Sequence, residues 1–316
     1  MASITFSISL GILFGHLLGT FLYWKSVAVI GALFPITICI ALSFVPESPF
    51  WLLSQDRIDE AKASFRWLRG CSSEALTELE NVVNKHNVMK QEEKALKMNA
   101  IGILKINLKK PEFVKPLGII LFFFMVMQFS GVNTVAFYTI TLMKDITIDN
   151  EYLSMFVIDI ARVVMSLVAC ILLKLCYRRT LVIVSGLGTT ISMISVSLFL
   201  WMNKSNPSDL NSWGSMVFLI GYICFMSVGL FPLPWCLIGE LFPISTRSIG
   251  SGITSCFNFI CFFIVVKSAP SLFLSLDVYG TFFIYGCVAL VGTAVLYFLL
   301  PETKNKTLQE IEETFK

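Results

Sequence analysis

The 316-residue chain is 56% hydrophobic and only 14% charged, with a formal net charge of +3 and a mean hydropathy of +0.78. A soluble chain of this length cannot hide that much apolar surface in one core, so the membrane is the solvent that resolves the composition. The small net charge and the lack of a basic stripe argue against nucleic acid as a partner. Nine cysteines sit mostly inside apolar runs, without the close spacing and polar flanks of a zinc site, and read as small buried hydrophobes. Two histidines, His16 and His86, are too few and too far apart for a metal centre, and no cofactor is expected.

A membrane helix needs ~20 largely apolar residues. Runs of that kind cover residues 3–23, 27–45, 116–143, 152–175, 181–201, 213–237, 248–266 and 279–300, which predicts an all-α polytopic membrane fold of eight spans. Charge, Pro or Gly separates them, at Trp24-Lys25, Lys144-Asp145, Arg178-Arg179, Asn206-Pro207 and Asp277. The first run has no basic stretch before it and is too long for the apolar region of a signal peptide. Along it, Gly11, Gly15 and Gly19 recur every fourth residue, a stripe that permits close helix approach, as static packing or as a sliding contact.

Alternate connections place residues 46–115, Arg178-Arg179, Arg247, Lys304 and Lys306 on one side. The other side holds Lys25, Lys144 and Lys204, with Lys267 near a helix end. The basic side is expected to be cytoplasmic, and an even number of spans puts both termini there. The 46–115 segment carries amphipathic helical patterns over 58–68 and 75–88 and reads as a solvated linker. It divides the chain into the last two spans of an amino-terminal half (1–45), the linker (46–115), a six-helix bundle (116–300) and a tail (301–316).

Pro46-Glu47-Ser48 after the second span is echoed by Pro301-Glu302-Thr303 after the last, the mark of a parallel repeat of a six-helix unit. Symmetry calls for six spans before the first signature where two are present, so about four amino-terminal helices are expected to be lacking.

Longer strings carry a family resemblance. Pro46-Glu47-Ser48-Pro49-Phe50-Trp51-Leu52, Gln128-Phe129-Ser130-Gly131-Val132-Asn133, Phe231-Pro232-Leu233-Pro234-Trp235 with Gly239-Glu240-Leu241-Phe242-Pro243 and Arg247, and Pro301-Glu302-Thr303-Lys304-Asn305-Lys306-Thr307-Leu308 stand in the order and spacing of one family. They resemble the sugar porter family of the major facilitator superfamily. Arg57, Glu60-Ala61, Trp67-Leu68-Arg69-Gly70, Ser227-Val228-Gly229 and Gly239 lean toward its facilitated trehalose and hexose branch. The resemblance implies facilitative sugar transport by alternating access in the plasma membrane, with a small sugar and the lipid bilayer as partners and no enzymatic activity. Oligomeric state, the particular sugar and proton coupling stay open. A competing class is a non-transporting sugar sensor or an inactive piece of a transporter. No P-loop is present, which argues against ATP-driven pumping.

A sugar offers hydroxyls around a ring with two fairly apolar faces, so its site needs amides and an aromatic plate. Gln128 and Asn133 are five apart, roughly 140° around an ideal helix, and share a face only if Gly131 loosens the helix. Helix-to-helix hydrogen bonding is their other reading; the resemblance implies sugar contact. Trp235, flanked by prolines that open the helix, can present its indole to a cavity, and Asn258 matches a family sugar-binding position. Glu47, Arg178, Arg179, Glu240, Arg247 and Glu302 match residues that lock the two halves at the cytoplasmic face, where simple solvation is the competing reading.

The chain also departs from the family. Phe50 replaces an Arg, Met127 a Gln and Phe231 a Gly, and a D-R-x-G-R-R turn reads Lys174-Leu175-Cys176-Tyr177-Arg178-Arg179. Asp159 and Arg162, three apart on one helical face, form an intramembrane charge pair, and Arg162 stands where the family has a sugar-contacting amide. Asn203-Lys204-Ser205 is a glycosylation sequon in an expected outside loop; Asn305-Lys306-Thr307 matches the pattern on the expected cytoplasmic side.

Overall fold

The computed structural model describes residues 2–70, 77, 79–80, 83–84, 109–146, 151–243, 246–304, 306 and 308–315. Among these residues the regular structure is helical throughout. The chain divides into two compact units, residues 22–106 and residues 1–21 with 107–316.

In the 22–106 unit, helix α2 (Trp24–Leu42) has no buried residue. Its mean hydropathy of 2.1 over a span-length window explains that exposure, since lipid rather than protein solvates such a surface. Helix α3 (Pro49–Ser54) starts on a proline at its first position, where the missing N–H costs nothing. Helix α4 (Ile58–Arg69) ends at Gly70, whose φ of 79° is a conformation glycine adopts without a Cβ penalty. Leu52, Leu53 and Ala61 pack with Ile58 and Val83, and Phe65 packs with Leu79 and Val83. Ser64 Oγ donates to the Glu47 carbonyl at 2.5 Å. Most of the 75–88 helical pattern lies outside the described residues.

The other unit begins with α1 (Ala2–Phe21) and resumes with α5 (Pro111–Phe129), α6 (Val132–Phe137), α7 (Thr139–Ile146) and α8 (Glu151–Leu175). Then come α9 (Arg178–Ser205), α10 (Asp209–Val228), α11 (Leu233–Leu241), α12 (Arg247–Leu299) and α13 (Leu308–Phe315). Helix α9 packs on α10 and α12, α5 on α12, α8 on α10, and α1 on α8. Close approach rests on small residues: a Cβ at Gly186 would strike Thr293, one at Gly188 Phe225, and one at Gly292 Val126, the small-residue packing that membrane helices use. Phe123, Phe124, Tyr222, Phe282 and Met127 fill the centre. Ile160, Val164, Leu167 and Ile171 of α8 stay exposed at spacings of four, three and four, one helical face turned outward.

Six described helices are long and apolar enough to cross a membrane, against eight apolar runs in the sequence. Two runs merge in the 53-residue α12, which holds one non-helical residue, Asp277, at φ 57° and ψ 174°. A straight helix of that length would reach ~80 Å, far beyond a ~30 Å hydrocarbon core, so Asp277 is where the chain passes from one run to the next. The remaining run, α1, contributes a shorter apolar helix, Thr5–Phe21. The Gly11, Gly15 and Gly19 stripe is exposed, and a Cβ at any of the three would meet nothing within 4 Å. Among the described residues, nothing packs tightly over that stripe.

Candidate substrate site and charge pair

Helix α5 stops one residue after Gln128. Ser130 caps it, and Gly131 follows at φ 84°, ψ 12°, in the left-handed region that L-residues other than glycine seldom enter. The break is braced from both sides. Tyr222 donates its hydroxyl to the Ser130 carbonyl at 3.0 Å, while the Tyr285 ring lies against Gly131 and its hydroxyl is 3.1 Å from Thr134 Oγ1. The turn brings Asn133 back onto Gln128, so that Asn133 Nδ2 donates to Gln128 Oε1 at 2.5 Å. Gln128 Nε2 then donates to Asn258 Oδ1 of α12 at 2.8 Å. Three amides from α5, α6 and α12 thus form one chain, with donor and acceptor capacity beyond these two bonds.

Gln128 and Asn258 are buried, at 2% and 3% exposure, while Asn133 is half-buried and lines a pocket of about 40 Å³ with Thr5, Ser9, Arg162, Ser166 and Phe231. Trp235 sits on α11, whose cap is Pro232 and whose first turn holds Pro234. Its indole meets the Phe124 ring edge-on at 4.9 Å and 70°, one helical turn before Gln128. Trp235 thus packs on α5 one turn before the amide chain, and it is not among the residues that line the pocket.

Asp159 is fully buried. Its Oδ1 is 3.6 Å from Arg162 Nη1, an ion pair beyond hydrogen-bond length. Its Oδ2 is 2.5 Å from His16 Nδ1 of α1; an ionised carboxylate only accepts, so the imidazole donates. Neither Nη1 nor Nη2 of Arg162 has a hydrogen-bond partner. His16 was the partner sequence reasoning missed. It stands 143 residues from Asp159, and its only sequence signal was being an ionisable residue inside an apolar run.

A second polar cluster joins the start of α9 to α11 and the tail. Arg178 Nη2 pairs with Glu240 Oε1 at 2.8 Å, and Thr303 Oγ1 donates to Glu240 Oε2 at 2.5 Å. Glu302 accepts the backbone N–H of Arg178 at 3.0 Å and of Arg179 at 3.2 Å, the anion-at-N-terminus arrangement. Burial pushes the Glu302 carboxyl up, but backbone N–H donors from Arg178, Lys304, Arg179 and Thr303 outweigh it and leave it below the usual carboxylate range. Arg179 Nε donates to the Leu300 carbonyl at 2.6 Å and Arg247 Nη2 to that of Phe242 at 3.2 Å. The structure thus brings Arg178, Arg179, Glu240 and Glu302 together within one unit, with Arg247 bonded just beyond α11; Glu47 belongs to the other unit.

At the far end of α9, Lys204 pairs with Asp277 at 2.8 Å. The Asn203 side-chain Oδ1 accepts the Ser208 N–H at 3.1 Å, so the sequon asparagine already serves the turn into α10. Asn305 lies outside the described residues.

Long apolar helices around a broken, amide-bearing one define a multi-pass membrane protein of the major facilitator fold. The chain belongs to the sugar (and other) transporter family, whose model matches residues 2–315. Among curated relatives, it is 31% identical to the facilitated trehalose transporter Tret1 of Apis mellifera ligustica, over 96% of this chain and 60% of that one. It is 29% identical to the protein of the same name from Aedes aegypti, over 96% of this chain and 37% of that one. The chain therefore spans about 60% or less of the length of these relatives. Among solved structures it matches the major facilitator proton:xylose symporter XylE bound to 6-bromo-6-deoxy-D-glucose at TM-score 0.76 and 19% identity, covering 100% of this chain and 66% of that one. The partially occluded inward-open xylose transporter XylE from E. coli matches at TM-score 0.72 and 20% identity, covering 97% and 64%.

Proposed function

We propose that the chain serves facilitative transport of trehalose or a hexose by alternating access, in the plasma membrane, with both termini cytoplasmic. The observation that carries this reading is the amide chain Asn133–Gln128–Asn258, assembled by a left-handed break at Gly131. Amides that both donate and accept suit a ring of hydroxyls, and Trp235 supplies an apolar plate for a sugar face. Asn133, the amide that reaches the pocket, makes the first contact; Gln128 and Asn258 fix its orientation and join the site when the helices rearrange. That rearrangement is what alternating access requires.

The Arg178, Arg179, Glu240 and Glu302 cluster, with Arg247, serves as the cytoplasmic gate, and Glu47 in the other unit is assigned to it by the family resemblance alone. Its charge-assisted bonds bias one conformation over another, for which a difference of a few kcal/mol suffices. Residues 46–115 act as the linker, 116–300 as the six-helix bundle and 301–316 as the tail. Relatives described as facilitated trehalose transporters support the substrate class.

Uptake of radiolabelled glucose and trehalose into transporter-deficient cells expressing the chain tests the proposal. Saturable uptake of either sugar is expected, reduced about tenfold or more by Trp235→Ala, as loss of a central aromatic contact costs ~2 kcal/mol or more. Background-level uptake despite surface expression contradicts it.

A further inference from the structure

The segment that joins α10 to α11 has two faces. Leu230, Leu233 and Leu237 are fully buried, while Phe231, Trp235 and Gly239 are half-buried at spacings of four, one face of a helix. Helical hydrogen bonding carries that face back through the prolines. The Leu233 N–H donates to the Gly229 carbonyl at 3.0 Å and the Cys236 N–H to that of Pro232 at 3.2 Å. The backbone there is pinned to α9, because Ser185 Oγ accepts the Leu230 N–H at 2.8 Å and donates to the Phe225 carbonyl at 2.7 Å. The three leucines close the core from this segment, and Phe231 is left for the other face.

That face carries two rings one helical turn apart, in different surroundings. Trp235 packs on Phe124. Phe231 lines the pocket that Asn133 reaches, together with Ser9 of α1 and Ser166 of α8. Ser9 Oγ donates to the Thr5 carbonyl at 2.9 Å and Ser166 Oγ to that of Val163 at 2.7 Å, so both hydroxyl oxygens keep lone pairs for a ligand's donors. Asn133 gives one amide hydrogen to Gln128 and retains a second. Acceptors, a donor and an aromatic face around one pocket match a pyranose, with hydroxyls around its rim and C–H groups on its faces. The family string has a glycine where Phe231 stands, and a glycine has no ring to offer.

We propose that Phe231 is a specificity-determining residue, whose ring takes the C–H face of a pyranose while the sugar's hydroxyls bond to Asn133, Ser9 and Ser166. An acyclic polyol has similar hydroxyls but no fixed C–H face, so the ring selects closed sugars over open ones. Trp235 lies one turn further along α11, ~6 Å toward the Arg178–Glu240 pair, and takes that face when the helices rearrange. The proposal rests on the sugar-transport reading and adds to it a second aromatic contact.

The test is equilibrium binding of tritiated D-glucose to the full chain in lipid nanodiscs, with D-sorbitol as competitor. The wild type is expected to prefer glucose by about tenfold or more, the closed ring being ordered before it binds. Phe231→Leu keeps apolar bulk without a ring and should weaken glucose about fivefold while leaving sorbitol unchanged, since an aromatic contact adds to area burial alone. Phe231→Tyr keeps the ring and should bind glucose within about twofold of wild type. Equal loss of both ligands in the leucine variant would make Phe231 a packing residue and overturns the inference alone. Wild-type affinity in the leucine variant, equal loss of glucose in the leucine and tyrosine variants, or a wild type without preference for glucose does the same. A wild type that binds neither ligand overturns it together with the transport reading. Phe231→Met makes the same comparison where the leucine variant does not fold, and the wild-type preference is a test without any variant.

Discussion

Asp159→Ala is expected to destabilise the chain by about 3–5 kcal/mol, the cost of leaving a buried cation without its counter-charge. The Arg162 side chain is 9% exposed, and neither its Nη1 nor its Nη2 has a hydrogen-bond partner, so Asp159 is the charge that makes its burial tolerable. The His16 contact at 2.5 Å is lost in the same variant, which removes a polar tie between α1 and α8. The double variant Asp159→Leu with Arg162→Leu is expected to recover most of the loss, because well-packed apolar residues commonly replace a buried ion pair at little cost. Thermal unfolding of both variants in detergent, followed by size-exclusion elution, reads the difference. A single variant within about 1 kcal/mol of wild type, the range of solvated surface pairs, would mean that this pair is hydrated.

Gly131→Ala is expected to abolish sugar uptake and to lower stability as well. At φ 84° the new methyl group is placed in a region that costs an L-residue roughly 1–2 kcal/mol. It would also lie 2.9 Å from Tyr285 Cε2 and 3.1 Å from Cγ, closer still to Cδ2. Overpacking of that kind costs about 1–3 kcal/mol. Any relief shifts α6 or the Tyr285 ring, and either movement disturbs the return of Asn133 onto Gln128. Uptake should fall to background while some folded protein still reaches the membrane; Gly118→Ala, where a Cβ meets nothing within 4 Å, serves as the control. Wild-type uptake by the Gly131 variant would separate the amide chain from function.

Local chemistry made much of this legible from the residues. Gln128 and Asn133 could share a face only through Gly131, and the positive φ there supplies the means. Asp277 interrupted an apolar stretch in sequence and interrupts α12 in space. Pro232 and Pro234 announced the start of α11 beneath Trp235. What could not be read were relations set by packing between distant helices. His16 meets Asp159 because α1 packs on α8, and nothing within either helix encodes that register. Tyr222 and Tyr285 brace Gly131 from α10 and α12, yet in sequence they are aromatics in apolar runs. The Gly11, Gly15 and Gly19 stripe showed the converse: a helical period identifies a face without saying what covers it. Glu47, Arg178, Arg179, Glu240, Arg247 and Glu302 were singled out together; the bonds of Arg178, Arg179, Glu240 and Glu302 join α9, α11 and the tail, a partnership that follows from helix ends meeting in space.

The transport proposal has the amides around Gly131 hold a sugar. Its most direct test is equilibrium binding of tritiated glucose and trehalose to the purified chain in nanodiscs, beside Gln128→Leu, which removes the middle amide while keeping its bulk. Saturable binding of one sugar by the wild type, weakened about tenfold or more in the variant as expected when paired polar contacts are left unmatched, is the predicted result. Equal binding by both proteins, or none by a folded wild type, would contradict it.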